Sequence, residues 1–125
     1  MHRSQLAGFI IDCETGDLDE AAGFWGQALG YGPLPLSGPG EDNYRGLDTG
    51  RNGMHIELQQ VDHPSRVHLD IETDDIEAEV RRLEQLGAKR VKPVKTWWVM
   101  QAPTGHRFCI VQVQSENFAD TARQW

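Results

Sequence analysis

An internal repeat limits what this chain can fold into more than any other feature of its sequence. The stretches IIDCETGDL, residues 10–18, and HLDIETDDI, residues 68–76, carry the same residue at four positions with one constant spacing. The matching pairs are Asp12/Asp70, Glu14/Glu72, Thr15/Thr73 and Asp17/Asp75. The repeat predicts a duplicated unit, in which each half has too little core to be stable alone and the two bury their apolar faces together.

The first copy, about residues 5–61, begins with the apolar strand-like run LAGFIIDC. A D-x-x-E capping box then starts a helix over 17–29, whose apolar residues recur at helical spacing. Phe24 and Trp25 lie on this helix, and we expect both in the core.

A loop rich in proline and glycine, PLPLSGPGEDN, follows this helix. Strands are predicted around YRGLDTG and MHIELQQV, with a turn at Asn52-Gly53 between them.

The second copy, about residues 66–114, repeats this order. RVHLDIE is a strand, and a second D-x-x-E box starts a helix over 75–86. The segments KRVKPV, TWWVMQA and RFCIVQV supply the remaining strands, and the lysines of the first of these suit a solvated sheet edge. The chain is therefore predicted to be a single α+β domain over 1–125, two βαβββ modules with a polar C-terminal tail over 115–125.

Charge and composition exclude several classes of function. The net charge is −7, with 19 acidic against 12 basic residues, which argues against a nucleic-acid partner. No run approaches the ~20 apolar residues of a membrane span, and the N-terminus does not resemble a signal peptide, so we expect a cytoplasmic protein without a membrane partner. Cys13 and Cys109 lie in apolar strand-like runs and are predicted to be buried thiols.

Strand alternation predicts one polar surface. Residues two apart in a strand share a face, so Asp12, His55, Glu57, His68, Asp70 and Glu72 are expected to point away from the helices. Such a surface would be acidic and would favour a cation. Trp97 and Trp98 are adjacent in one strand and face opposite ways, so one is expected to pack under the second helix and the other to meet a flat ligand.

The segments DLDEAAGFWGQALG, HLDIETDDIEAEVRRLEQLGA and PTGHRFCIV resemble the glyoxalase-like (glyoxalase/bleomycin-resistance) proteins of the vicinal oxygen chelate superfamily. The resemblance implies a cupped, eight-stranded mixed sheet with helices outside. It also implies four metal-ligand positions, which are occupied here by Ile10, Glu57, His68 and Cys109. Ile10 cannot bind a metal and Cys109 replaces the usual carboxylate, so the metal set Glu57 and His68 is incomplete and would have to be completed by Cys109, His55, Asp70 or water.

Three functions stay open at this point. The preferred hypothesis is a metal-free glyoxalase-like protein that binds a small molecule. The alternatives are a lyase or isomerase that uses a divalent ion (Zn, Ni, Fe or Mn) on an oxygen-rich or thiol-conjugated substrate, and a metal-free acid/base enzyme. The predicted catalytic residues are His68, Glu57 and Asp70, and the predicted ligand-binding residues are Asp12, His55, Glu72, Trp97 and Trp98. A homodimer is expected, because a short chain with an open sheet leaves edges to cover.

Overall fold

The computed structural model describes residues 1–35 and 42–125 and contains two compact units. Unit 1 comprises Met1–Gly8 and His68–Trp125, and unit 2 comprises Phe9–Val67. The elements in chain order are β1 (Arg3–Glu14), α1 (Leu18–Leu29), β2 (Gly32–Leu34), β3 (Tyr44–Asp48), β4 (His55–Val61), β5 (Arg66–Thr73), α2 (Ile76–Gln85), β6 (Lys89–Val94), β7 (Trp97–Gln101), β8 (Arg107–Gln112), α3 (Phe118–Thr121) and β9 (Arg123–Gln124). This order confirms the predicted α+β class and the succession βαβββ, βαβββ.

Unit 2 is built on α1, which packs against the β3 and β4 strands. Asp17 caps the helix, because its side chain accepts a hydrogen bond from the Glu20 N–H at 3.1 Å. The core of unit 2 consists of Ile11, Cys13, Leu18, Leu47, Ile56 and Leu58. Trp25 is partly buried against this core as expected, whereas the prediction for Phe24 is wrong, since 63% of that residue is exposed. Phe24 faces solvent because it lies on the far side of the apolar stripe.

The connections of unit 2 differ in detail from the predicted ones. Pro33 and Leu34, which were assigned to the loop, belong to the short strand β2, and residues 36–41 of that loop lie outside the described residues. The β3–β4 hairpin closes with a hydrogen bond from the Gly53 N–H to the Gly50 carbonyl at 3.2 Å. The predicted turn at Asn52-Gly53 therefore belongs to a longer loop over 49–54.

Unit 1 contains a mixed sheet in the order β5-β8-β7-β6. The β5–β8 pair is parallel, and the β8–β7 and β7–β6 pairs are antiparallel. The helix α2 covers a core formed by Val80, Met100, Phe108 and Ile110. The lysine-bearing strand β6 lies at the edge, as its sequence predicted.

The C-terminal residues of unit 1 are ordered, although the sequence predicted only a polar tail. They form α3 and β9, and β9 pairs antiparallel with the start of β1. Phe118 is buried, and the ring of Trp125 lies 3.7 Å from the guanidinium carbon of Arg82. A helix and a ninth strand are thus added to the predicted elements. Among the described helices, none is long and apolar enough to span a membrane.

Candidate active site

Two neighbouring strands of unit 1 bring predicted site residues onto one face. In β5, Ile71 packs into the core under α2, so His68 and Asp70 point to the opposite face. In β8, Phe108 and Ile110 enter the same core, and Cys109 between them shares the face of Asp70. The parallel register places Asp70 directly beside Cys109.

His68, Asp70 and Cys109 therefore converge, and we call them the site cluster. One ligand atom from each, a ring nitrogen, a carboxylate oxygen and the thiol sulfur, lies within 4.8 Å of the other two. His68 Nε2 is 3.7 Å from Asp70 Oδ1, which exceeds the usual hydrogen-bond range of about 2.7–3.2 Å. The side chains of His68 and Asp70 are 13% and 8% exposed, and Cys109 is buried. His68 is the member of the cluster that a ligand can reach most easily.

The cluster has the donor set of a divalent metal site. Metal-ligand bonds of about 2.0–2.3 Å in tetrahedral geometry separate neighbouring donor atoms by roughly 3.3–3.8 Å. The 3.7 Å between His68 Nε2 and Asp70 Oδ1 falls in that interval. Three protein ligands with room for a fourth, exchangeable ligand are the usual arrangement of catalytic zinc. The residues present therefore fit such an ion: His68 and Cys109 lie at family ligand positions, and Asp70 adds a third donor from outside the family set.

Glu72 shares the face of the site cluster but is engaged elsewhere. It is fully buried, and its carboxylate accepts hydrogen bonds from Gln5 Nε2 at 2.6 Å, Gln114 N at 2.8 Å and Ser115 N at 2.9 Å. Buried carboxylates need such partners, and the backbone donors of Gln114 and Ser115 fix the chain after β8 to β5. The contacts give Glu72 a structural task in unit 1, whereas the sequence suggested ligand binding.

The remaining polar candidates lie in unit 2. His55 Nε2 is 3.1 Å from Glu57 Oε1, so these two residues of β4 form a pair. Asp12 is 2% exposed and lies 3.8 Å from Arg66 Nε. Ile10, at a family ligand position, is buried.

The adjacent residues Trp97 and Trp98 point to opposite faces of β7, as expected. Trp98 packs against the α2 core, and the guanidinium carbon of Arg90 lies 5.0 Å from the centroid of its ring. Trp97 therefore points to the face of the site cluster. Arg107, two residues before Cys109 in β8, shares that face and adds a positive charge to it.

Cys13 and Cys109 are both buried, and neither forms a disulfide. Burial, together with the negative charge of Asp12, raises the pKa of Cys13 in unit 2.

Sequence reasoning named Cys109 as a family position but missed its register with Asp70. The signal for that contact was the βαβββ order itself, if the first and last strands of a module were assumed to pair in parallel.

The sequence matches the family model of the glyoxalase-like domain over residues 8–111. No curated protein sequence matches the chain.

Solved structures share the fold at low identity. A hypothetical protein from Bacillus halodurans C-125 is 17% identical with a TM-score of 0.64, covering 91% of this chain and 99% of that one. Methylmalonyl-CoA epimerase from Mycobacterium tuberculosis is 17% identical with a TM-score of 0.63 and 91% of each chain covered. The Mn(II)-bound glyoxalase from Novosphingobium aromaticivorans is 15% identical with a TM-score of 0.61, covering 91% of this chain and 43% of that one. The order of elements, the matched family model and these shared folds agree, and the chain belongs to the glyoxalase-like domain family of the vicinal oxygen chelate superfamily.

Proposed function

We propose that this protein is a metal-assisted lyase or isomerase that acts on a small, oxygen-rich molecule at the site cluster. The observation that carries the proposal is the convergence of three donor atoms within 4.8 Å on one face of unit 1. The sequence offered Glu57 and His68 as plain ligands, to be completed by Cys109, His55, Asp70 or water, and the register of β5 with β8, which pairs Asp70 with Cys109, supports these two as the partners of His68. A nitrogen, oxygen and sulfur donor set suits zinc best, while iron, nickel and manganese remain alternatives for the test.

His68, Asp70 and Cys109 would hold the ion. A bound divalent ion supplies Lewis-acid polarisation of a substrate oxygen. Arg107 lies on the same face and would attract a substrate carboxylate, and the ring of Trp97 offers a surface for a flat group. A small carboxylate with a neighbouring oxygen is therefore the substrate class that these side chains favour. The methylmalonyl-CoA epimerase relatives provide a first test compound of that kind.

Metal analysis tests this proposal directly. Protein purified without chelator and then dialysed against zinc should retain about one ion per chain, as expected for a single site with three protein ligands. His68→Gln and Asp70→Asn should each lower that content. The matched control is His106→Gln, because His106 lies in an exposed turn of the same unit and contacts Thr104 Oγ1. A content that stays the same in all three variants would refute the proposed ligands.

A metal-free binding protein is the second candidate, and two observations in unit 2 favour it. The carboxylate of Glu57, a family ligand position, pairs with His55, and Ile10 at another such position is aliphatic. In this case His68 would contact the ligand directly as a hydrogen-bonding or acid/base group. Calorimetry with methylmalonyl-CoA, and with coenzyme A as control, distinguishes the candidates: binding that needs His68 but no metal would select the second.

We further propose a homodimer, a cytoplasmic location and an origin of the two modules by duplication. Leu6, Leu69 and Val113 of unit 1 are all more than 40% exposed, and a second copy would shield them. The two thiols suit a reducing compartment. Sedimentation that shows only monomer at micromolar concentration would contradict the dimer.

A further inference from the structure

Unit 2 contains a cavity that takes no part in the proposed reaction. Its volume is about 440 Å³, and it lies between α1 and the strands β2 and β3. Cavities of roughly 300–1,000 Å³ are the ones that bind small molecules in proteins. The walls are formed by Gly23 of α1, Gly32 of β2 and Leu47 of β3. Leu47 belongs to the core under α1, so the cavity lies on the helix side of these strands.

Missing side chains create this cavity. A Cβ atom added at Gly26 would lie 2.9 Å from the Tyr31 carbonyl oxygen, so α1 packs tightly there. About one turn earlier, a Cβ atom added at Gly23 would meet no atom of the described residues within 4 Å, and the same holds at Gly32. Glycine within a helix costs about 1 kcal/mol relative to alanine. Gly23 therefore carries a stability cost that its packing does not require, and it keeps the wall of the cavity bare.

The polar groups at the cavity indicate what it can recognise. Arg45 Nε donates to Asp19 Oδ1 at 2.8 Å, so the charges at this end offset each other. Gln27 and Tyr31 add groups that can form hydrogen bonds, and Pro33 contributes an apolar wall. Bare glycine backbone lets a flat group approach closely. We infer that the cavity binds a small, flat, uncharged aromatic molecule.

Indole has this chemistry and serves as the probe. In an amide NMR titration of the full chain, the Gly23 and Gly32 signals should shift saturably with indole. The substitution Gly23→Leu fills the cavity and should weaken binding about tenfold or more, whereas the control Ala28→Leu, at an exposed position of the same helix outside the cavity lining, should change it less than about twofold. The smaller change Gly23→Ala should give an intermediate loss and provides a second test if Gly23→Leu does not fold.

Three results would overturn the inference. The first is that neither glycine signal shifts at millimolar indole. The second is that indole binds equally well when Gly23 carries a side chain, and the third is that benzoate binds more tightly than indole. The last result would show that Arg45 acts as an anion site, in spite of its contact with Asp19. None of these outcomes bears on the site cluster, because every cavity residue named here lies in unit 2.

Discussion

The buried carboxylate of Glu79 in α2 offers a quantitative test of how unit 1 is held together. It is fully buried and accepts two hydrogen bonds from Arg82, both at 2.8 Å, and one from His2 Nε2 at 2.7 Å. Burial by itself would raise the pKa of Glu79, but the hydrogen bonds from Arg82, His2 and Ser4 outweigh it, so the pKa lies below its ordinary value of 4.5. The charged form is therefore the stabilising one.

We expect Glu79→Gln to destabilise the protein by about 2–4 kcal/mol at pH 7. The side-chain amide of the variant can still accept a hydrogen bond through its oxygen. Its NH₂ group, however, is itself a donor and faces a donor of Arg82, so one buried hydrogen bond is lost. Arg82 is 23% exposed and can turn partly to water, which keeps the loss below that of a fully buried ion pair. Urea unfolding of both proteins measures the difference in free energy of unfolding.

The same pair of proteins tests the pH dependence. A carboxylate with a depressed pKa in the folded state contributes stability above its unfolded pKa, and this contribution is lost as the pH falls. The difference between the wild type and Glu79→Gln should therefore shrink below about pH 4.5. Glu20→Gln, at an exposed position of α1, is the control and should change stability by less than about 0.5 kcal/mol. A Glu79 variant as stable as this control at pH 7 would refute the reasoning.

Three further substitutions give expectations of known sign, each to be measured by urea unfolding. Gly23→Ala should raise the free energy of unfolding by about 0.5–1 kcal/mol, since the site is helical and open; a loss would show that the helix is crowded there. Trp25→Ala should lower it by about 2–3 kcal/mol, less than for a fully buried aromatic, because Trp25 only partly enters the core; no change would place the ring in solvent. Gly53→Ala should lower it by about 1–3 kcal/mol, because the new Cβ would lie 2.1 Å from the Thr49 carbonyl oxygen; a neutral result would mean that the loop relaxes freely.

The fold was predictable from the sequence because several local signals agreed. Asp17 is the N-cap of α1 as predicted, and its side chain accepts from the amide of Glu20 at 3.1 Å. The second box, predicted at Asp74–Glu77, is wrong by one residue, because Asp75 is the N-cap of α2 and accepts from the amide of Ala78 at 3.1 Å. The βαβββ order predicted a strand after α1, but its position could not be found, because the three residues of β2 with their central proline give no alternation to detect. The C-terminal elements were missed because β9 depends on pairing with β1 and α3 is only four residues long.

The site was predictable only in part. Alternation placed His68 and Asp70 on one face correctly, since it depends on neighbours in a single strand. Alternation could not show that the Glu72 carboxylate accepts hydrogen bonds from Gln5 and from the chain after β8, because those contacts join residues far apart in sequence. Nor could it show Cys109 beside Asp70, which requires the register of two strands.

Cobalt binding can show whether Cys109 is a metal ligand, because Co²⁺ bound to a thiolate absorbs strongly in the near ultraviolet. We predict that the wild type develops this band with about one equivalent of Co²⁺, as expected for one site that includes a cysteine ligand. Cys13→Ser should keep the band, because Cys13 lies in the core of unit 2, and Cys109→Ser should abolish it. The absence of the band in the wild type, or its loss in Cys13→Ser with retention in Cys109→Ser, would contradict the claim that His68, Asp70 and Cys109 form one metal-binding site.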